Sequence, residues 1–274
     1  MNWTSLRVSG SEHRVEVIAA LFAAGAEGVH EDGADLVTHF PVSTDVGAVV
    51  RALRQVDPVA SYAEAPTEAI DWSQAWRDRA RAFSLGLIAV APPWLAEGFD
   101  TARTVVIDPG MAFGTGDHAS TRGALRLMQS RINAGIVVAD LGAGSAVLSI
   151  AAAKLGASRV FAIEMDPDAL GNANANVERN GVTDAVHIFE GDARILLPLV
   201  APVDLIVANI ISSVLVDLLA TFARALPSGG VAILAGILVD ERDAMLEVVK
   251  ADGWHVLQED EEEGWWSLAI ARPE

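Results

Sequence analysis

One segment limits what this chain can fold into more than any other: Val137-Val138-Ala139-Asp140-Leu141-Gly142-Ala143-Gly144-Ser145-Ala146. The apolar run from Ile136 into Asp140 suits a strand buried on both faces of a sheet. It enters a Gly-x-Gly turn and then Val147–Leu155, which has a helical pattern. A strand of this kind needs covering helices on both sides, so the surrounding sequence has to supply alternating strands and helices.

It does so from Phe83 onward. Ile88–Ala91 and Thr104–Asp108 read as short strands, and Ser120–Ser130 as a helix with Leu125 and Met128 inward. After the glycine turn come strand Arg159–Glu164, helix Pro167–Asn180, and strands Val186–Glu190 and Leu205–Asn209. Helix Val214–Leu226, strand Gly230–Ala235 and helix Asp240–Ala251 follow. Trp254–Glu259 and Trp265–Ala271 close the sheet as a hairpin, with Asp260–Glu263 expected to be its solvated acidic tip. Residues 83–274 therefore read as an open, doubly wound, Rossmann-like α/β domain.

Residues 1–65 form a separate α+β pattern. Trp3–Val8 is a strand. Ser11–Ala24 is a helix with Ser11 as N-cap and Gly25 as stop. Ala26–Glu31 and Leu36–Phe40 are strands around the Asp32-Gly33 turn, Asp45–Val56 is a helix and Pro58–Ala63 a last strand. The order β-α-β-β-α-β is the ferredoxin-like arrangement. A linker helix is expected over 66–82, where Trp72 and Trp76 share a face at i,i+4 spacing. Their plainer role is an aromatic stripe packed against a neighbour.

The 274 residues include 19 basic and 37 acidic ones, a net charge of −18. Such a surface repels phosphate backbones, so no direct nucleic-acid binding is expected, whereas a basic protein partner is compatible. The chain has no cysteine, which excludes disulfides, thiolate metal sites and a cysteine nucleophile. His13, His30, His39, His187 and His255 have no metal-ligand spacing, so no metal site is expected. The start MNWTSLRVSG lacks a basic-then-apolar leader pattern, and no apolar run approaches the ~18–20 residues of a membrane span. The expectation is a soluble, cytoplasmic protein without membrane attachment. Its oligomeric state is open.

The glycine turn points to a ligand. Glycines there let a ligand approach backbone N–H groups at a helix start. A lone Gly-x-Gly is also consistent with a mere tight crossover. The next strand, however, ends in Glu164, 22 positions after Gly142, the spacing at which an acid meets a ribose diol. A dinucleotide fingerprint needs glycine at 147, where Val147 stands. The alternative turn, acid-x-Gly-x-Gly-x-Gly, is matched by Asp140, Gly142 and Gly144, with Ala146 in the third glycine place. An acid at Asp140 suits a cationic donor such as S-adenosyl-L-methionine better than a pyrophosphate. Asp192 closes the following strand, where it is placed for the adenine amine or serves only as a cap. Asn209 ends the next strand facing the crevice.

The run Asp108-Pro109-Gly110-Met111-Ala112-Phe113-Gly114-Thr115-Gly116-Asp117-His118-Ala119-Ser120-Thr121 resembles the signature of the ribosomal protein L11 methyltransferase (PrmA) family. The resemblance continues through DLGAGSAVLSIAAAKLGA, EMDPDALGNANANVERNGV, VANII, GILVDERDAML and EEGWWSLAIARP, and covers roughly residues 70–274. It implies a ferredoxin-like substrate-recognition domain, a linker, and a class I methyltransferase domain. The implied reaction carries methyl groups from S-adenosyl-L-methionine to lysine side-chain and N-terminal amines of a large-subunit ribosomal protein. Cofactor contacts carry over to Thr121, Gly142, Glu164 and Asn209, while Phe113, Gly114, Thr115 and Gly116 match the loop at the methyl-transfer end. The chain departs from the family at Glu164 (usually Asp), Ala146 (usually Gly), Ala119 (usually Pro) and Asp117.

Methyl transfer to an amine needs positioning and a free lone pair. Asn209 can aim its carbonyl at the amine, its plainer role being a strand-end cap. His118 as a base is the lesser reading beside a loop anchor. No Asn-Pro-Pro-Tyr motif follows the strand, which lowers a base-methylating alternative, and no Gly-x-Ser-x-Gly elbow suggests a hydrolase. Other readings are a methyltransferase of another protein or a small molecule, a non-catalytic adenosylmethionine-binding assembly factor, and a nicotinamide dehydrogenase, which Val147 disfavours.

Overall fold

The computed structural model describes residues 3–11, 13–26, 29–32, 35–41, 44–65, 81–108 and 116–272. The chain divides into two compact units, Met1–Asp78 and Arg79–Glu274. Trp72 and Trp76, like Phe113 and Thr115, lie outside the described residues.

The first unit contains β1 (Trp3–Ser9), α1 (Arg14–Ala23), β2 (Val29–Asp32), β3 (Asp35–Pro41), α2 (Val46–Val56) and β4 (Ser61–Ala65). Its sheet runs β2-β3-β1-β4, with every neighbouring pair antiparallel. Alternation sends Leu6 and Val8 of β1, and Leu36 and Phe40 of β3, to the helix side. There they meet Val17 and Leu21 of α1 and Val49 and Leu53 of α2. Ser11 does not cap α1. His13 holds the cap place without a side-chain bond, and the Ser11 hydroxyl donates to Asp57 Oδ2 at 2.8 Å. A buried carboxylate competes strongly for donors, and Asp57 also accepts from the backbone N–H groups of His13, Val59 and Ala60. The resulting turn after Asp57 delays β4 to Ser61.

The second unit opens with a small sheet, β5 (Phe83–Leu85), β6 (Ile88–Ala91) and β7 (Thr104–Val106). The main sheet comprises β8 (Val137–Leu141), β9 (Arg159–Glu164), β10 (Val186–Glu190), β11 (Leu205–Asn209), β12 (Val231–Leu238), β13 (His255–Glu262) and β14 (Trp265–Ala271). Its order is β10-β9-β8-β11-β12-β14-β13. Strands β8 to β12 pair in parallel; β14 is antiparallel to both β12 and β13. The helices are α3 (Ala119–Gln129), α4 (Val147–Leu155), α5 (Pro167–Arg179), α6 (Ala193–Val200), α7 (Ser212–Ala225) and α8 (Arg242–Ala251). Val138, Val160, Val207 and Ile233 pack toward α3, α4 and α5. Ala139, Leu141, Ile163 and Ile206 pack oppositely, against Leu197 of α6, Leu215 and Phe222 of α7, and Met245 of α8. This two-sided burial is the doubly wound α/β architecture.

Strand β5 and helix α6 are not in the sequence reading; α6 carries Pro198 inside it, a residue that obscures a helical pattern. The acids of 260–263 are a solvated tip only in part: Glu261 and Glu263 are exposed, Glu263 in the turn itself, whereas Asp260 and Glu262 are half-buried and engaged. Arg126 Nε donates to Asp260 Oδ2 at 2.8 Å and Arg126 Nη2 to Glu262 Oε2 at 2.7 Å. Arg122 bridges Glu262 and Glu263 at 2.9 and 3.0 Å. Both arginines lie on α3, so the acidic strand end is a clamp on that helix. Several charges sharing one network hold geometry better than an isolated surface pair.

Candidate active site

The site begins where β8 leaves the sheet. Gly142 takes φ +71 and donates its N–H to Ile163 O at 2.8 Å. A Cβ on Gly142 would stand 2.3 Å from Ile210 Cγ2, so a side chain here would push Ile210 off the turn as well as strain the backbone. Ala146 follows in the left-handed region at φ 65. A non-glycine residue there costs roughly 1–2 kcal/mol.

Asp140, expected to face the cofactor, lies beneath the turn instead. It is 1% exposed and does not line the cavity. Its Oδ2 accepts from the Ser149 hydroxyl at 2.6 Å, while Oδ1 is buried without a hydrogen-bond partner. Burial pushes its carboxyl up to about 6, against the pull of the Ser149 hydrogen bond.

Glu164 ends β9 on the cavity wall. Its longer arm reaches back across the turn: Oε2 accepts from Gly144 N at 2.7 Å and Oε1 from Asp166 N at 2.8 Å. One carboxylate thus ties the glycine turn to the loop after β9. Gly144 contributes through this bond and is not part of the cavity lining. Asp192 lines the cavity and caps α6. Its Oδ1 accepts from Arg194 N at 2.8 Å, and both oxygens accept from Arg194 Nε. These bonds, the backbone one foremost, hold its carboxyl below the usual range.

Asn209 closes β11. Its Nδ2 donates to Thr121 Oγ1 at 3.1 Å, and its Oδ1 is buried without a hydrogen-bond partner. Thr121 is fully buried on α3 and reaches the cavity only through Asn209. Gly116 is buried next to Val90 and Val147. His118 caps α3 through its ring, with Nδ1 2.8 Å from Ser120 Oγ. The ring meets Trp265 edge-on at 4.7 Å.

Together these elements enclose a cavity of about 460 Å³. Gly142, Glu164, Asp192 and Asn209 supply its polar groups, and His118 and Trp265 its aromatic wall. Ile163, Met165, Ile210 and Ile211 make much of the remainder apolar. The volume suits a small-molecule ligand, and carboxylates at two strand ends favour one with ribose hydroxyls and amines. The sequence reading omitted Trp265 from the site, although its Trp265-Trp266 pair was visible as part of a strand. It also omitted Arg194 and Ile210; the one sits in the unrecognised helix α6, and the other carries no chemical signal. Among the described residues, no group of three or more His, Cys, Asp or Glu side chains is placed to hold a metal. Among the same residues, no helix is long and apolar enough to cross a membrane.

The family model described as ribosomal protein L11 methyltransferase (PrmA) matches residues 5–273. A ribosomal protein L11 methyltransferase of Pelotomaculum thermopropionicum is 39% identical over 201 residues, 73% of this chain and 65% of that protein. This chain's match thus spans just under two thirds of that relative's length. The corresponding protein of Thermus thermophilus is 36% identical over 257 residues, covering 93% of this chain and 94% of that one. The crystal structure of a ribosomal protein L11 methylase from Lactobacillus delbrueckii subsp. bulgaricus superposes with a TM-score of 0.62 at 28% identity. That match covers 71% of this chain and all of the other.

Proposed function

Because the chain belongs to the ribosomal protein L11 methyltransferase family, a family of class I methyl-transferring enzymes, we propose its reaction and substrate. It moves methyl groups from S-adenosyl-L-methionine to lysine ε-amines and the N-terminal α-amine of ribosomal protein L11. The observation that carries this reading is the Asn209 amide: its carbonyl is buried without a partner, on a residue that lines the same cavity as Glu164 and Asp192. An orphaned buried oxygen is costly unless a ligand donor completes it.

The residues fit the cofactor. Glu164 accepts from the ribose hydroxyls, Asp192 from the adenine amine, and the turn at Gly142 brings backbone close to the ligand, while Gly144 acts by holding Glu164. Asp140 acts from beneath the turn through its charge, without contact. S-adenosyl-L-methionine supplies a methyl group already activated by its sulfonium. This chain's residues then have to present a neutral amine in line with it. A lysine amine with a reference pKa of about 10.4 must shed its proton. The apolar lining of Ile210, Ile211 and Trp265 favours the neutral form by desolvation. Asn209 Oδ1 accepts one amine N–H and so directs the lone pair. The family resemblance assigns Phe113, Thr115 and Gly116 to the methyl-transfer end; Gly116 itself packs on Val90 and Val147 outside the cavity lining, and Thr121 holds Asn209.

The unit containing residues 1–65 is assigned to recognition of the substrate protein, residues 66–82 to the linker, and 83–274 to catalysis. The unit has a core of its own, and the net charge of −18 suits a basic, lysine-bearing partner in the cytoplasm. Incubating the purified chain with labelled S-adenosyl-L-methionine and a mixture of ribosomal proteins tests the reading. Label entering L11 at amines is the expected result; label elsewhere, or none, refutes the substrate assignment.

A further inference from the structure

Strand β12 carries an irregularity beside the cavity. Its pairing with β14 passes from Leu234↔Leu268 to Ile237↔Trp266. Two residues, Ala235 and Gly236, therefore face the single Ser267, which makes a β-bulge. Bulges recur beside active sites because they re-aim the strand. Gly236 has φ +82 and lines the cavity. A Cβ there would lie 2.6 Å from Ile210 O and 3.0 Å from Asn209 Oδ1. The nearer atom is backbone, and Ile210 N donates to Ala235 O at 3.2 Å, so relief at Ile210 would have to disturb the backbone. Beyond the bulge β12 continues to Leu238, paired with Trp265, whose ring meets His118.

The Asn209 amide is thus confined from two sides. Thr121 takes its N–H, and the bare Cα of Gly236 leaves room for its carbonyl. Resting on the reading of Asn209 given above, we propose that Gly236 is a positioning residue for methyl transfer. Its missing side chain leaves the Asn209 amide where it stands, Nδ2 on Thr121 and Oδ1 against the bare Cα, and so keeps this residue in place on the cavity wall. Any side chain at 236 would displace the amide or the Ile210 carbonyl and misdirect the lone pair of the amine.

The test compares Gly236→Ala with Gly229→Ala in the full chain. Gly229 has a similar φ of +77 but nothing within 4 Å of its would-be Cβ. Both variants incur left-handed backbone strain and lower the melting temperature; only Gly236→Ala crowds Asn209. The expected result is a kcat on ribosomal protein L11 at least tenfold lower in Gly236→Ala than in Gly229→Ala. Adenosylhomocysteine affinity, measured by calorimetry, should stay within about fivefold. Equal kcat values in the two variants overturn the proposal. Should Gly236→Ala fail to fold, Thr121→Val decides, since it releases the same amide without backbone strain. A tenfold loss of kcat there supports amide positioning, and an unchanged kcat overturns it. A wild-type chain that binds adenosylhomocysteine yet methylates no amine refutes the functional reading itself, which separates that failure from a failure of Gly236.

Discussion

Asp57 in the first unit and Asp140 in the second are both closed off from solvent, at 0% and 1% exposure. They nevertheless depart from the usual carboxylate value of 3.8 in opposite directions. Burial alone raises both. Asp57 is drawn down to about 2 because the Ser11 hydroxyl and the backbone N–H groups of His13, Val59 and Ala60 outweigh that penalty. Asp140 has Ser149 and one oxygen left over, and rises to about 6. The difference is the supply of donors. The first unit spends its buried acid on holding together a loop, a helix end and a strand start. Among the described residues, the second keeps two oxygens short of partners, Asp140 Oδ1 under the glycine turn and Asn209 Oδ1 at the end of β11. Buried polar atoms are normally satisfied, so these two oxygens, one on a residue of the cavity wall and one beneath the turn beside it, are an unmet polar cost that the first unit's acid avoids.

The sharpest test of this contrast is Asp57→Ala. It strips four donors of their acceptor, and the first unit is expected to lose its cooperative fold while the second keeps its own. Hydrogen exchange resolved along the chain will report protection lost in residues 3–65 and retained in 116–272. With the acid in place, the stability it contributes is present above pH 3.8 and is lost as pH falls through about 2. If that recognition role is correct, the variant also stops methylating intact L11 while still binding adenosylhomocysteine.

Next comes Asn209→Ala, with turnover expected to fall about a hundredfold, the scale of losing one positioned electrostatic contact. The melting temperature should barely move, because the orphaned oxygen leaves with the side chain. A lowered melt with preserved kcat would make Asn209 a strand-end cap and break the comparison.

Asp140→Asn should act oppositely to any change at Asp57 and stabilise the chain at neutral pH. The folded value near 6 exceeds the ordinary 3.8. The folded state therefore binds the proton more tightly, and stability falls as pH rises from about 3.8 to 6. By linkage the neutral variant recovers on the order of 3 kcal/mol above pH 6. Denaturant melts at pH 4 and pH 7.5 will show whether the wild-type slope disappears in the variant; a persisting slope assigns it to another group.

The smallest expected effect is at Glu164, whose oxygens already have backbone partners. Glu164→Ala should weaken adenosylhomocysteine binding by about 1–3 kcal/mol, the cost of a lost charged acceptor. Unchanged affinity in calorimetry would remove Glu164 from the ribose.

Local pattern made a good part of this legible in advance. The βα alternation, the turn through Gly142 and Gly144, Glu164 at the end of β9 and Asn209 at the end of β11 all follow from short-range periodicity and spacing. A strand buried on both faces and a glycine turn declare themselves within about ten residues. What lay beyond reach depends on residues far apart in the chain. Asp260 and Glu262 look solvated until β13 is laid beside α3 and they meet Arg122 and Arg126. Asp140 reads as a ligand contact until the packing of α4 turns it toward Ser149. Trp265 joins His118 only once β14 is paired beside β12 and α3 is packed near it. The backbone's local preferences chose the elements, since φ/ψ bias and hydrophobic period act over a few residues. Sheet register and two-sided packing chose which side chains share the cavity and which polar atoms go without a partner, because desolvation is set by neighbours that only the tertiary structure supplies.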